Sequence, residues 1–206
     1  MIINFFYIFL SYLLGSVSGS LLFGNFFGID IRELGSKSAG ATNAFRTTGL
    51  KLAIPTVIID VLKGFIPAYI FLSDPLLFIG CSFASILGHV YLIFYGFKGG
   101  KGAGALIGVI IASHPIFLVY LFPVWIMSML FTGYVGLSTI LAGFTLPALV
   151  FFCHHVSTNS PEGYFFILIS LFILFTHREN VLRIISGTEN RFYGMMLFGN
   201  KKRPLK

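Results

Sequence analysis

The sequence predicts an all-α fold: a polytopic helical membrane protein of about seven transmembrane helices. Three observations predict it. Of 206 residues, 56% are hydrophobic and only 10% are charged, against roughly 25% charged in a soluble domain. Apolar runs recur at close to the roughly 20 residues a helix needs to cross a bilayer. The Lys and Arg residues collect in alternate loops, as they do where loops alternate between the two sides of a membrane.

The first run, 2–23, has no basic stretch before it and no small-residue cleavage site. It reads as a retained span rather than a removed signal. The runs 52–72 and 76–95 follow. The runs 138–153 and 164–176 are shorter and need extra turns from their flanks. Between them lies 103–130, which carries no charge but contains His114-Pro115 and Pro123. Proline ends or kinks a helix. The loop 24–51 holds Arg32, Lys37, Arg46 and Lys51, the loop 96–102 holds Lys98 and Lys101, and the tail from His177 holds seven more Lys and Arg residues, Arg178 to Lys206. The loops near Ser73-Asp74 and His154–Gly163 hold none. If 103–130 crosses twice, hinged near His114-Pro115, every loop charge lies inside. The N-terminus is then outside and the C-terminus cytoplasmic. Five spans, with 103–130 not crossing, fit the charges equally. No repeat or linker divides the chain, so 1–206 reads as one integral-membrane domain.

The formal net charge is +7, from fourteen Lys and Arg against seven acids. These charges sit in short interior loops, and no soluble module is present to carry a nucleic-acid site. Cys81 and Cys153 lie in apolar runs without CxxC partners and read as packing residues. His154-His155 has no acidic ligand beside it and reads as an outward polar loop, so no metal site is expected. Asp60 and Lys63 stand three residues apart within an apolar run. A charge at mid-bilayer costs about 2.5–3.5 kcal/mol. The pair either holds helices together or borders a polar cavity.

Three polar segments carry the chemistry. The first, Gly35-Ser36-Lys37-Ser38-Ala39-Gly40-Ala41-Thr42-Asn43 with Arg46, is a small-residue loop leading into a helix. Such a loop can converge backbone N–H groups on an anion, and Arg46 can grip phosphate through two N–H bonds. A flexible interhelical loop would look the same. The second contains Gly88-His89-Val90-Tyr91 and Phe97-Lys98-Gly99-Gly100-Lys101-Gly102. It lacks Walker A spacing, yet Lys-Gly-Gly-Lys-Gly joins two cations to a backbone that a ligand can approach closely. His89 alone reads as a structural histidine. The third is His177-Arg178-Glu179-Asn180, continuing through Arg183 to Gly187, Thr188 and Glu189. It reads as a surface helix with a Glu179–Arg183 pair, or as a segment whose His177 and Asn180 face one site. The residues alone imply a membrane site for a phosphorylated compound, with a lipid as natural second ligand.

These segments resemble those of the bacterial acyl-phosphate:glycerol-3-phosphate acyltransferases. The first resembles that family's GSGNPGATN loop, the second its GHxFPVFxxFKGGKG segment and the third its HRxNIxRLxxGxE segment. Ile59-Asp60-Val61-Leu62-Lys63-Gly64 is similar to the family's LDxLKG. Order and spacing agree along nearly the whole chain. The resemblance implies transfer of an acyl group from acyl phosphate to the 1-hydroxyl of glycerol 3-phosphate, giving lysophosphatidate and phosphate. It implies no cofactor and no metal. It places the enzyme in the bacterial inner membrane with its site facing the cytoplasm.

By the same resemblance Ser36, Lys101, His177 and His89 are the catalytic candidates. Gly35, Thr42, Asn43, Arg46, Gly99, Gly100, Gly102, Asn180 and Glu189 are the substrate-binding candidates. The proton acceptor is His177, His89 or a substrate phosphate oxygen. Some positions depart from the family pattern. Lys37, Ser38 and Ala39 replace Gly, Asn and Pro, Leu92 replaces Pro, and Ala105 stands for Thr. Gly133-Tyr134-Val135-Gly136-Leu137 replaces R-Y-V-S-L. Ser138 or Thr139 is the nearest substitute hydroxyl, and nothing obvious replaces the arginine, although Lys37 adds one cation in another loop. A diverged lipid-binding homologue without activity and a transporter of a phosphorylated solute are the competing readings.

Overall fold

The computed structural model describes residues 2–152 and 156–198. Cys153, His154, His155, Lys201, Lys202, Arg203 and Lys206 lie outside the described residues. All regular structure among the described residues is helical. The chain forms two compact units, one up to Pro115 and one from Ile116.

The first unit begins with α1 (Ile2–Gly15) and α2 (Gly19–Phe26). The sequence reads this region as one span, but the structure bends it by 43° at a short break. The cause is local. Ser16, Val17 and Ser18 interrupt the helical ladder, and Ser18 Oγ caps α2 by accepting from Leu21 N. Serine at such a position competes with helix by offering the backbone a side-chain partner. The carbonyl of Val17, freed by the break, accepts from Lys63 Nζ at 2.8 Å.

Next come α3 (Ala41–Thr48) and α4 (Leu50–Ile70). One face of α4 exposes Ile54, Val57, Ile58, Leu62 and Ile66, while Asp60, Lys63, Gly64 and Ala68 are buried. That division suits a helix with lipid on one side and protein on the other. Helix α5 (Pro75–Val90) starts at an Asp74 cap, whose Oδ1 accepts from Leu76 N and Leu77 N, followed by proline in the first turn. Both features mark helix starts. Helix α6 (Ala103–Ser113) closes the unit. Its Gly108 lies against the Val61 carbonyl of α4, and Gly64 of α4 lies against the Ala105 backbone. Small residues let helix backbones approach this closely.

The second unit contains α7 (Phe117–Thr132), α8 (Val135–Phe152), α9 (Pro161–Thr176) and α10 (Arg178–Ile185). The run 103–130 is thus two helices, interrupted at 114–116 as His114-Pro115 predicts. Phe117 and Phe166 meet edge to face at 5.3 Å. Ser160 caps α9 through Gly163 N at 3.0 Å. The α9–α10 pair is bent by 49°.

Among the described residues three helices, Leu50–Ile70, Pro75–Tyr95 and Val135–Phe152, are long and apolar enough to cross a membrane, or up to five if each bent pair is one span. Helices α6 and α7 are apolar but shorter. The protein is a polytopic helical membrane protein.

Candidate active site

Asn43 organises the first polar segment. It is 1% exposed. Its Nδ2 donates to the carbonyls of Ile31, Leu34 and Ser38, each at 3.0 Å, and its Oδ1 accepts from Ser36 N at 2.8 Å. The loop therefore wraps around one buried amide, so Asn43 shapes the loop from within. Gly35 and Lys37 both adopt left-handed backbone, with φ of +56° and +59°. A Cβ at 35 would overlap Asn43 Oδ1. Lys37 takes a conformation that glycine favours and lysine strains. This is the position where the resembled loop has glycine.

Thr42 and Arg46 stand four residues apart on α3, hence on one face. Thr42 is exposed, and Ser36 and Arg46 are half-buried. At the loop's start, Arg32 pairs with Asp30 at 2.7 Å and donates to the Tyr95 carbonyl at 2.8 Å. The guanidinium's hydrogen bonds hold the Asp30 carboxyl below its ordinary range.

The second segment lies directly on the first. Ala39 N donates to Gly99 O at 3.3 Å, and the Ala39 carbonyl accepts from Ser20 Oγ at 2.6 Å. Leu92, where the family has proline, packs into a buried core with Ile31, Ala39 and Ala44. Gly100 N donates to His89 O at 3.0 Å. Gly99 lies against the His89 and Val90 carbonyls, and Gly100 against the imidazole of His89. Gly102 precedes α6 with φ of +88°. Lys101 is half-buried and Lys98 exposed. His89 is itself buried, with Nδ1 3.4 Å from Asp60 Oδ1. Lys63 Nζ lies 3.0 Å from the same oxygen.

In the second unit, His177 sits in the bend between α9 and α10 and is buried. Its Nδ1 lies 2.8 Å from the Ile173 carbonyl. A carbonyl only accepts, so Nδ1 donates to it, and in the neutral ring Nε2 is then the acceptor nitrogen. Asn180, also buried, donates from Nδ2 to Glu189 Oε1 at 2.9 Å. Glu189 Oε2 accepts from Arg183 Nε at 2.6 Å, and Arg183 reaches Glu179 at 3.6 Å. The expected Glu179–Arg183 pair is present, but Glu189 is the stronger partner. It braces Asn180 from behind.

The two glycines that depart from the family pattern each have an account. A Cβ at Gly136 would meet Asn180 Cγ at 2.6 Å, so the Asn180 side chain occupies the space a serine needs. Gly133 ends α7 with φ of +69°. Phe192 N donates to its carbonyl at 2.9 Å. The Arg191 guanidinium lies 4.5 Å over the Tyr134 ring. A cation thus stands beside Gly133, supplied by a residue distant in sequence, which the linear reading misses. Ser138 Oγ donates to the Tyr134 carbonyl and is hydrogen-bonded to Ser128 Oγ, and Thr139 Oγ1 donates to the Val135 carbonyl. Neither is a spare hydroxyl.

The fold and the loops of the first unit define a helical membrane protein with glycine- and cation-rich loops suited to phosphate. The family model described as glycerol-3-phosphate acyltransferase matches residues 5–187. The chain belongs to the glycerol-3-phosphate acyltransferase family. It is 38% identical to the glycerol-3-phosphate acyltransferase of Fusobacterium nucleatum over 197 residues, covering 91% of this chain and 97% of that protein. It is also 38% identical to the Aquifex aeolicus enzyme of that name over 193 residues, covering 91% and 98%. The fold is similar to crystal structures of PlsY (YgiH), an integral membrane glycerol 3-phosphate acyltransferase. Its glycerol 3-phosphate form gives a TM-score of 0.85 and its lysophosphatidic acid form 0.83, each at 35% identity over 92% of this chain and 95% of that one.

Proposed function

We propose that this enzyme moves an acyl group from acyl phosphate to the 1-hydroxyl of glycerol 3-phosphate, releasing lysophosphatidate and inorganic phosphate. The observation that carries this is the Ala39–Gly99 hydrogen bond. It joins the loop bearing Ser36 and leading to Arg46 to the loop bearing Lys101.

Acyl phosphate is a mixed anhydride with a good leaving group, so no protein nucleophile is needed. The hydroxyl oxygen attacks the acyl carbon, the carbon–oxygen bond to phosphate breaks, and the phosphate leaves with the electron pair. The protein's task is to hold two polyanions together and neutralise them. Arg46 and Lys101 neutralise phosphate, Ser36 and Thr42 offer hydroxyls, and Gly99, Gly100 and Gly102 let the ligand approach the backbone. His177 Nε2 takes the hydroxyl proton. Its tautomer, set by the Ile173 carbonyl, suits a base. Asn180, braced by Glu189, positions substrate.

The whole chain, 1–206, serves this one activity as a single domain. It works in the bacterial inner membrane, with about seven spans, N-terminus outside and site facing the cytoplasm, as the placement of Lys and Arg supports. A second reading, a lipid-binding member without turnover, is favoured by one observation: Gly136 leaves no hydroxyl beside Asn180. Purified protein supplied with labelled acyl phosphate and glycerol 3-phosphate decides between them. Lysophosphatidate should form with acyl phosphate and not with acyl-CoA. Lys101→Ala should lower kcat/KM by about 10²-fold, the scale of removing one preorganised charge-stabilising donor. Glycerol 3-phosphate binding without product would establish the second reading.

A further inference from the structure

Asp60, Lys63 and His89 form a buried polar cluster for which the transfer chemistry has no direct use. Each is at most 4% exposed. Asp60 Oδ1 stands 3.0 Å from Lys63 Nζ and 3.4 Å from His89 Nδ1. Lys63 donates onward to the Val17 carbonyl, freed by the α1–α2 break. The Lys63 carbonyl accepts from Ser85 Oγ of α5 at 2.6 Å. The Lys63 side chain and its backbone carbonyl thus tie together the first break, α4 and α5. Ionisable groups inside an apolar helix are costly and persist where they do a specific job.

The cluster's upper surface identifies that job. The His89 ring lies against Gly100, where even a Cβ would overlap it. A Cβ at Gly104 would come within 2.9 Å of Asp60 Cβ. Lys101 lies between these two glycines in the chain. The Gly100 amide adds its hydrogen bond to the His89 carbonyl. The lysine's backbone is therefore supported on both sides by members of the cluster. The imidazole has Asp60 beside Nδ1 and Gly100 against its Nε2 edge.

We propose that His89 is a positioning residue that fixes Lys101 by packing the edge of its ring against Gly100, anchored by the Asp60–Lys63 pair, and that it is not the proton acceptor. This rests on the acyltransferase reading for its kinetic consequence, but not for its structural one. The test compares His89→Ala, His89→Asn, Lys101→Ala and the His89→Ala/Lys101→Ala double variant in nanodiscs. Asparagine keeps a polar N–H close to the place of Nδ1 but cannot act as a base. If His89 acts through Lys101, the double variant loses no more kcat/KM than Lys101→Ala alone. His89→Asn recovers a large part of the His89→Ala loss and keeps the wild-type pH profile. Amide hydrogen exchange at 99–104 accelerates in His89→Ala and slows again in His89→Asn. Multiplying losses in the double variant would overturn the proposal, as would an inactive His89→Asn with an altered acid limb. Unchanged exchange at 99–104 in His89→Ala would also overturn it. If wild-type protein makes no lysophosphatidate, the acyltransferase reading fails, and the exchange comparison still decides whether His89 supports the loop.

Discussion

At the level of single residues, the same side-chain types serve opposite purposes, and only their partners tell them apart. His177 and His89 are both buried histidines in resembled segments. The first has its tautomer set by a backbone carbonyl, leaving Nε2 as acceptor, and the second has a carboxylate on one side and a glycine on the other. Asn43 and Asn180 divide similarly. Asn43 spends its amide on four backbone groups of its own loop, while Asn180 stands beside Gly136 with Glu189 behind it. Sequence identifies all four as candidates, because polar residues amid apolar runs stand out. It cannot rank them, because backbone partners are set by the fold. Arg191 is the clearest case of what is illegible. Its neighbour Tyr134 lies far off in sequence, and a tail arginine reads as ordinary interior charge. Its stacking on that ring keeps the guanidinium beside the Gly133 turn. Arg191→Ala should therefore raise KM for glycerol 3-phosphate about tenfold, the loss of roughly one charge-assisted hydrogen bond, with kcat nearly unchanged. Steady-state kinetics with each substrate varied separately checks this. A fall in Tm with unaltered KM would make Arg191 a structural pin only.

At the level of elements, helix identity is legible and helix interruption is partly so. The break at 114–116 follows from His114-Pro115, since proline announces itself. The break at 16–18 does not, because Ser and Val carry no such veto. It depends on Ser18 as cap and on Lys63 donating to the Val17 carbonyl, and that lysine lies on a different helix. The α4–α6 contact shows why glycines recur through these apolar runs. Without a hydrophobic drive between helices in lipid, association rests on close packing. Gly64 against Ala105 and Gly108 against Val61 bring the two backbones into contact. Gly108→Leu should separate them and destabilise the protein by about 1–3 kcal/mol, the usual cost of overpacking. It should also lower activity, since α6 begins at the residue after Gly102 and carries the Lys101 loop. Unfolding in mild detergent, with turnover measured on the same sample, tests both effects. Unchanged unfolding would mean that the helices have slack that their close backbones do not suggest.

At the level of the whole molecule, helix length constrains how α6 and α7 meet the bilayer. Helix α6 has 11 residues and α7 has 16. At 1.5 Å rise per residue, α6 covers roughly 16 Å and α7 roughly 24 Å, against a hydrocarbon core of about 30 Å. If each still crosses, as the seven-span arrangement requires, the difference is met by local thinning or by flanking residues that sit below the surface. The flanking residues of α6 are Lys98–Gly102. A crossing α6 therefore places Lys101 below the headgroup plane, where a lipid-like acyl phosphate would carry its phosphate while its chain stays in hydrocarbon. Charge counting alone cannot reach this point, because five and seven spans put the same lysines inside. Single cysteines in a background lacking Cys81 and Cys153 separate the two. An impermeant maleimide added to intact cells should label Asn159→Cys and Ile116→Cys, while Lys98→Cys and Asn190→Cys should react only after permeabilisation. Labelling of Ile116→Cys only from inside would remove both short crossings and leave five spans. It would also free Lys101 from any need to lie below the surface, and its phosphate would then be met at the membrane's edge.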